Sequence, residues 1–259
     1  MSCTQGIYRI ISAEQLSQLG YRFTIECPEV AKVAKAGQFV HIRCEGFLLR
    51  RPISISSIDL IGGSITIVFE VRGEGTQWLA TRKAGDTLDM IAPLGNGFDL
   101  LPCDHKAILI GGGIGTPPMV ALAEHYGANA QAIIGFRSKD ATLLQDTLAA
   151  TGATVHLCTD DGSAGHKGFV TDILTELLKT DKPHILYACG PTPMLKAVAK
   201  LAEAYGIRCQ LSLEERMGCG VGACLVCVCK IKEANGEVAH KCVCKSGPVF
   251  EAEEVEFDG

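Results

Sequence analysis

Six of the chain's 13 cysteines fall between Cys219 and Cys244, and three of them, Cys219, Cys224 and Cys227, stand at C-x4-C-x2-C. Cys242 or Cys244 can supply a fourth thiol after a short excursion. Gly218, Gly220 and Gly222 interleave the first cysteines, as a loop needs when it wraps a compact group and turns its N–H groups toward sulfur. This spacing is the plant-type [2Fe–2S] pattern, in which four thiolates hold two irons. Such a cluster moves single electrons and makes no bonds, so the segment predicts electron transfer and leaves donor and acceptor to the rest of the chain. A C-x2-C followed by C-x-C also resembles a zinc ribbon, but Cys219 would then be superfluous. Rieske ligation needs C-x-H, and His240-x-Cys242 has the reverse order.

The 259 residues suffice for two domains and a small third module, and 47% hydrophobic residues allow packed cores. No apolar stretch approaches a membrane span, and the opening M-S-C-T-Q-G-I-Y-R-I lacks the layout of a signal peptide. An odd number of mostly scattered cysteines fits a reducing compartment, so a cytoplasmic location is expected. From residue 211 onward five Lys/Arg face nine Asp/Glu, giving −4 of the net −5. That balance argues against nucleic acid. The end, E-A-E-E-V-E-F-D-G, is expected to be solvated and partly frayed.

Residues 1–101 show short β-rich runs at 21–27, 38–43, 64–71 and 87–91, separated by Gly and Pro, with a helix near 76–82. This texture predicts a small antiparallel barrel. From Lys106 it changes: A-I-L-I-G-G-G-I-G is a buried parallel strand entering glycines. Strands at 130–136, 153–159, 185–189 and 208–212 then alternate with helices at 139–149, 169–179 and 193–205. That series predicts a doubly wound α/β domain over 102–212, followed without a linker by the cysteine module at 213–259. The expected class is thus α+β multi-domain.

Two glycine turns carry the binding chemistry of the second segment. G-G-G-I-G-T-P-P-M (Gly111, Gly112, Gly113, Gly115 and Thr116 among them) brings backbone close to a pyrophosphate, with Pro117 or Pro118 opening a helix whose free N–H groups favour an anion. Cys189, Gly190 and Pro191 form a second turn after a later strand, so the two should flank one crevice beyond the strands' carboxyl ends. In the first segment, L-L-R-R-P-I-S-I offers Arg51 as a planar fork for phosphate and Ser54 as a hydroxyl. An ordinary strand edge, with Pro52 confining it there, explains the same residues. Gly75 and Thr76 in G-E-G-T make a turn and helix start.

R-P-I-S, G-x-G-T, G-G-G-I-G-T-P-P and C-G-P-x-P-M, in that order, resemble the ferredoxin–NAD(P)+ reductase superfamily. With E-E-R-M-x-C-G-x-G-x-C-x-x-C and C-x-x-G-P-V-F added, the whole chain resembles the electron-transfer subunits of class 1B dihydroorotate dehydrogenases. The resemblance implies an FAD-binding barrel, with Arg51, Pro52, Ile53 and Ser54 as the flavin motif, Arg51 on the pyrophosphate and Ser54 near the reactive edge. It implies a second flavin contact at Val68, Phe69 and Glu70, where Glu70 departs from the usual basic residue and backbone contacts are the safer expectation. It implies a third at Gly75 and Thr76. It puts NAD pyrophosphate near 111–116 and Cys189 near the nicotinamide, and it selects Cys244 rather than Cys242 as the fourth cluster ligand. Spacing alone leaves that pair open, because two residues apart on one strand share a face.

The implied partner is an FMN-containing, TIM-barrel-type dihydroorotate dehydrogenase catalytic subunit in a heterotetramer of two subunits each, acting in pyrimidine biosynthesis. No base or pocket for dihydroorotate is legible in this chain, so the partner must supply that chemistry. The competing function is an NADH-dependent ferredoxin:NADP+ oxidoreductase-type or sulfide dehydrogenase-type reductase subunit, and a non-enzymatic NAD-sensing module would leave flavin and cluster motifs idle. Asp160 and Asp161 would repel a 2′-phosphate and favour NAD, whereas Arg137 and Lys139 could do the reverse.

Overall fold

The computed structural model describes residues 3–257. Strands β1 (Thr4–Gln15), β2 (Gly20–Glu26), β3 (Phe39–Ile42), β4 (Arg51–Asp59), β5 (Ser64–Glu70) and β6 (Thr87–Leu94) close into an antiparallel barrel in the order β1-β2-β5-β4-β3-β6. Alternation points Phe23, Ile25, Val40, Ile42, Ile65 and Ile67 into one apolar core. Closure removes the strand edges that a small open sheet would expose. Pro52 therefore does not mark a sheet edge. It is tolerated because β4 pairs with β5 only from Ile55 onward, so no ladder on that side needs its missing N–H. β1 has no clean period-two pattern in the sequence, because its register shifts between Ile10 and Ser12. Two short helices, α1 (Pro28–Ala31) and α2 (Glu74–Ala80), belong to the barrel's connections.

The second segment contains β7 (Ala107–Gly112), β8 (Ala130–Phe136), β9 (Thr154–Thr159), β10 (His166–Lys167), β11 (Ile185–Cys189) and β12 (Arg208–Ser212), all parallel. Their order, β10-β9-β8-β7-β11-β12, reverses direction between β7 and β11. Helices cover both faces. α5 (Val170–Thr180) and α6 (Thr192–Tyr205) pack on Ile108, Ile110 and Leu186, while α3 (Pro117–Tyr126) and α4 (Gln145–Ala150) pack on Leu109, Ile134 and Tyr187. The expected helix at 139–149 is a single 3-10 turn at Lys139–Ala141 and then α4. Leu144, with φ 64°, is left-handed and prevents one continuous helix.

The cysteine segment forms a two-stranded sheet, β13 (Val228–Lys232) with β14 (Val238–Cys242), before β15 (Val249–Glu251) adds antiparallel to β12 as the seventh strand of the large sheet. The acidic end is therefore not frayed through its described length. Glu251 pairs with Arg208, Val255 is buried at 8% exposure, and Glu256 meets Lys232 at 2.8 Å. Asp258 and Gly259 lie outside the described residues. Among the described residues no helix is long and apolar enough to cross a membrane.

Phe23 is 1% exposed and meets Phe69 edge-on with centroids 5.2 Å apart. Phe23→Ala should cost about 3–5 kcal/mol, because the closed barrel cannot collapse around the hole. Denaturant titration should show a lower midpoint with an unchanged m value.

Candidate functional site

β7 and β11 are neighbours with Gly111 opposite Cys189, so both glycine turns leave the sheet side by side where the strand order reverses. Their contact is tight enough to require glycine. A methyl group at Gly115 would fall 2.2 Å from the Cys189 carbonyl oxygen, and one at Gly112 2.9 Å from Pro191 Cδ. Beside them opens a cleft of about 1050 Å³ lined by Gly112, Gly113, Gly190, Pro191, Arg137 and Asp160, among others. It suits a dinucleotide in size and in its unencumbered backbone.

The other expected residues of this region form the cleft's foundation. Gly115 is buried, and Thr116 is fully buried at the start of α3 with its hydroxyl unpaired. Cys189 is 1% exposed beneath the turn, and burial, reinforced by the Glu214 carboxylate, pushes its thiol up to about 12. It is a neutral thiol at physiological pH. Of the two acids weighed against a 2′-phosphate, only Asp160 lines the cleft. Asp161 accepts from Ser163 N at 2.9 Å and Ser163 Oγ at 2.6 Å, which closes a turn and holds its carboxyl below the usual range. Arg137 shares the wall with Asp160, whereas Lys139 uses its backbone N–H on Ser163.

Glu214, read in the sequence only as part of the E-E-R-M motif, stands on the cleft wall. Its carboxylate remains open to solvent in the cleft although protein surrounds it. That partial desolvation raises its pKa against the pull of Arg72. The signal was available: it is the second residue after β12, beyond the carboxyl end of a parallel strand. Ser56 was missed. It is buried, and its hydroxyl donates to the Pro117 carbonyl at 3.0 Å, tying β4 to the start of α3. A hydroxyl between an isoleucine and a second serine in a strand gives no sequence sign of such a partner.

On the barrel, Arg51 lies over the start of α2. A methyl group at Gly75 would fall 2.4 Å from Arg51 Nε, so the guanidinium and the glycine backbone form one surface. The Thr76 hydroxyl accepts from the N–H of Arg72 at 2.9 Å and donates to the Gly73 carbonyl at 2.9 Å. It holds its own turn, so its side chain is already committed within the protein. Ser54 is half-buried on β4 opposite Phe39, and Pro52 is opposite His41; Ile53 points inward against the barrel core. The β5 residues separate by face. Phe69 is buried in the barrel, stacked on Tyr21, so only its backbone is available. Val68 packs on the α/β side, while Glu70 pairs with Arg72 on the cleft wall.

The cysteine loop is organised by N–H groups directed at sulfur. Cys219 Sγ accepts from Val221 N at 3.4 Å and Ala223 N at 3.2 Å, and Cys224 Sγ from Cys219 N at 3.4 Å. Cys244 Sγ accepts from Gly222 N at 3.2 Å, while Cys244 N donates to Cys227 Sγ at 3.4 Å. Burial pushes the Cys219 thiol up, but these N–H groups together outweigh it and bring it down to about 6. The four sulfurs are spread through the loop, and among the described residues no three Cys, His, Asp or Glu converge as a single-ion site. A thiol set of this kind, with N–H donors on each sulfur, fits a two-iron cluster.

Cys242 and Cys244 sit in different settings, because β14 ends at Cys242 and the chain then turns. Cys244 curls back into the loop and is buried, bonded from both sides. Cys242 remains half-buried at the strand end. Cys229 donates to the Lys241 carbonyl at 3.4 Å, and burial keeps its thiol up at about 11, as a packing residue would be.

Comparison with known proteins agrees with this arrangement. A family model described as the iron–sulfur cluster binding domain of dihydroorotate dehydrogenase B matches residues 214–256, and the oxidoreductase NAD-binding domain matches 109–200. The dihydroorotate dehydrogenase B (NAD(+)) electron transfer subunit of Geobacillus kaustophilus is 44% identical over 95% of this chain and 96% of its own length. The Bacillus cereus counterpart is 40% identical over the same shares. The chain belongs to the family of dihydroorotate dehydrogenase B electron transfer subunits.

Solved structures give the family a wider setting. An NADH-dependent reduced ferredoxin-NADP oxidoreductase has TM-score 0.85 and 30% identity, covering 98% of this chain and 91% of that one. The flavohem-like FAD/NAD binding domain of a Vibrio cholerae nitric oxide dioxygenase has TM-score 0.64 at 20% identity, covering 79% and 95%, a likeness of fold.

For this member of the family, Gly115→Ala should force the two glycine turns apart. The expected cost is about 1–3 kcal/mol of stability and at least roughly a tenfold loss in kcat/KM for NADH, measured by stopped-flow reduction. Cys244→Ser should abolish stoichiometric iron binding, whereas Cys242→Ser should retain two irons per chain by metal analysis.

Proposed function

We propose that this chain passes electrons between an FMN-containing dihydroorotate dehydrogenase catalytic subunit and NAD+, using a [2Fe–2S] cluster and FAD, in pyrimidine biosynthesis. The observation that carries the reading is the cysteine loop, whose N–H groups address four sulfurs while a flavin-type strand and a dinucleotide cleft occupy the same molecule. When bound, FAD supplies the exchange of hydride with nicotinamide and of single electrons with a cluster.

The residues divide the work as follows. Cys219, Cys224, Cys227 and Cys244 hold the cluster. Arg51 with the backbone at Gly75 and Thr76 holds the flavin pyrophosphate, and Pro52 and Ser54, with the backbone of Ile53, line the flavin along β4. Val68, Phe69 and Glu70 contribute backbone from β5. Gly111 to Thr116 shape the nicotinamide nucleotide's pyrophosphate turn, and Cys189, Gly190 and Pro191 form the floor and edge at the ring. Asp160 in the cleft wall favours a free ribose hydroxyl over a 2′-phosphate. The segment boundaries that fit these roles are 1–101, 102–212 and 213–259.

The catalytic partner, of TIM-barrel type in a two-plus-two heterotetramer, would approach the cluster. Val221, Leu225 and Val226 on the cysteine loop are 44%, 67% and 57% exposed, and Cys224 is exposed beside them. An apolar rim around an electron port is what a docking partner covers. A cytoplasmic setting fits the thiol-rich composition.

Anaerobically purified protein should show flavin absorption and, after reduction with dithionite, a rhombic [2Fe–2S] EPR signal. NADH should reduce the flavin faster than NADPH does, and dihydroorotate alone should reduce nothing. Bound zinc without that EPR signal, or dihydroorotate oxidation by the isolated chain, would overturn the reading.

A further inference from the structure

His41 is the polar residue that the functions above leave unexplained. It lies on β3, fully buried, and neither Nδ1 nor Nε2 has a hydrogen-bond partner in the protein. Buried imidazoles are ordinarily bonded at one nitrogen at least, and an unpaired buried polar group costs about 1–3 kcal/mol. Its neighbours show where the missing partner belongs. Val40 and Ile42 point into the barrel, so Phe39 and His41 point outward. Phe39 packs in the same apolar cluster as Cys227, Val243 and Cys244. The His41 ring rests on the cysteine loop itself: a methyl group at Gly220 would fall 2.5 Å from Nδ1 and 3.1 Å from Cε1.

The loop around that glycine already commits the N–H groups of Cys219, Val221, Gly222 and Ala223 to cysteine sulfurs. The carbonyls of Cys219 and Arg50 lie near the ring, without hydrogen-bond geometry to it. Arg50 donates to the His41 carbonyl at 3.3 Å and to Asp89 on β6, which ties β3 to its barrel neighbour. Among the described residues no cysteine sulfur lies within hydrogen-bond reach of either ring nitrogen, so the acceptor that the ring lacks belongs with the group the loop holds.

We infer that His41 donates a ring N–H to a sulfur of the cluster-binding centre, making it the barrel's contribution to tuning the cluster's reduction potential. The inference rests on the [2Fe–2S] reading above. A donor hydrogen bond stabilises the more negative, reduced state more than the oxidised one, so it raises the potential. His41 is thus a positioning and tuning residue. It also gives the barrel a fixed polar contact with the loop.

The test uses the full chain, reconstituted with cluster and flavin, under potentiometric EPR and optical titration. His41→Phe keeps the ring's bulk and removes both nitrogens, and His41→Gln keeps an N–H donor. The expected result is a downward shift of the cluster midpoint in His41→Phe, a smaller one in His41→Gln, and an unchanged flavin midpoint. In protein labelled with ¹⁵N-histidine, pulsed EPR of the reduced wild-type cluster should show a histidine ¹⁵N coupling that His41→Gln lacks. That measurement decides the matter if His41→Phe fails to assemble. A cluster midpoint unchanged in His41→Phe, a shift confined to the flavin, or no ¹⁵N-histidine coupling in the wild type overturns the inference while the wild-type [2Fe–2S] signal leaves the functional reading standing. Absence of that signal from the wild type overturns both.

Discussion

Three hydrogen bonds around Gly247 and Pro248, two of them between backbone groups, hold the three segments together. Asn96, just beyond the last barrel strand, donates its N–H to the Gly247 carbonyl at 2.6 Å, and its side-chain amide reaches the Ser246 carbonyl at 2.8 Å. Leu213, just beyond β12, donates to the Pro248 carbonyl at 2.9 Å. The chain then enters β15, whose register sets Ser212 opposite Val249 and Leu211 opposite Phe250. The cysteine loop is therefore closed at its base by a strand ladder, with both ends fixed on one sheet and one side fixed on the barrel. Such closure removes much of the loop's conformational freedom before any metal arrives. The C-x-x-G-P-V-F motif does two jobs: it supplies Cys244 and forms the joint.

That joint explains how centres with different chemistry share one small molecule. The barrel presents the Arg51 guanidinium against the Gly75 backbone, the sheet presents two glycine turns at its reversal point, and the loop presents sulfurs dressed with N–H groups. Each relies on backbone groups that cannot relax away. Gly115 against the Cys189 carbonyl, Gly75 under Arg51 and Gly220 against His41 are three places where a side chain on the glycine would separate elements that must touch. The electrostatics follow. Cys219 is drawn down by N–H donors, whereas Cys189, equally a cysteine beside a glycine, is held up by burial. Environment rather than residue type sets these two thiols apart.

Much of this was legible along the chain. The buried run at Ala107–Gly112, the strand–helix alternation after it and the cysteine spacing announce their structures because local periodicity and turn chemistry agree with the fold. Legibility fails where a long-range contact overrides a local pattern. The bulge in β1 spoils its alternation, Leu144 breaks an apparent helix, and the acidic end is ordered because Arg208 and Lys232 lie across from it. Ser56 went unnoticed for the same reason, as its significance lies in the Pro117 carbonyl that faces it.

By itself the sequence determined the chemistry on offer: four thiols at cluster spacing, two glycine turns that end strands, and an arginine fork beside a small hydroxyl. These are short-range properties, fixed by residue type and by spacing within a turn or a strand. Only the tertiary structure decided their surroundings. It buried Cys244 beyond the end of β14 and left Cys242 at the strand end, it put Asp160 on the cleft wall while Asp161 closes a turn, and it placed an unpaired imidazole behind the cysteine loop. Those choices depend on the direction a backbone takes after its last ladder bond and on what lies opposite in space, which no spacing within a single strand encodes.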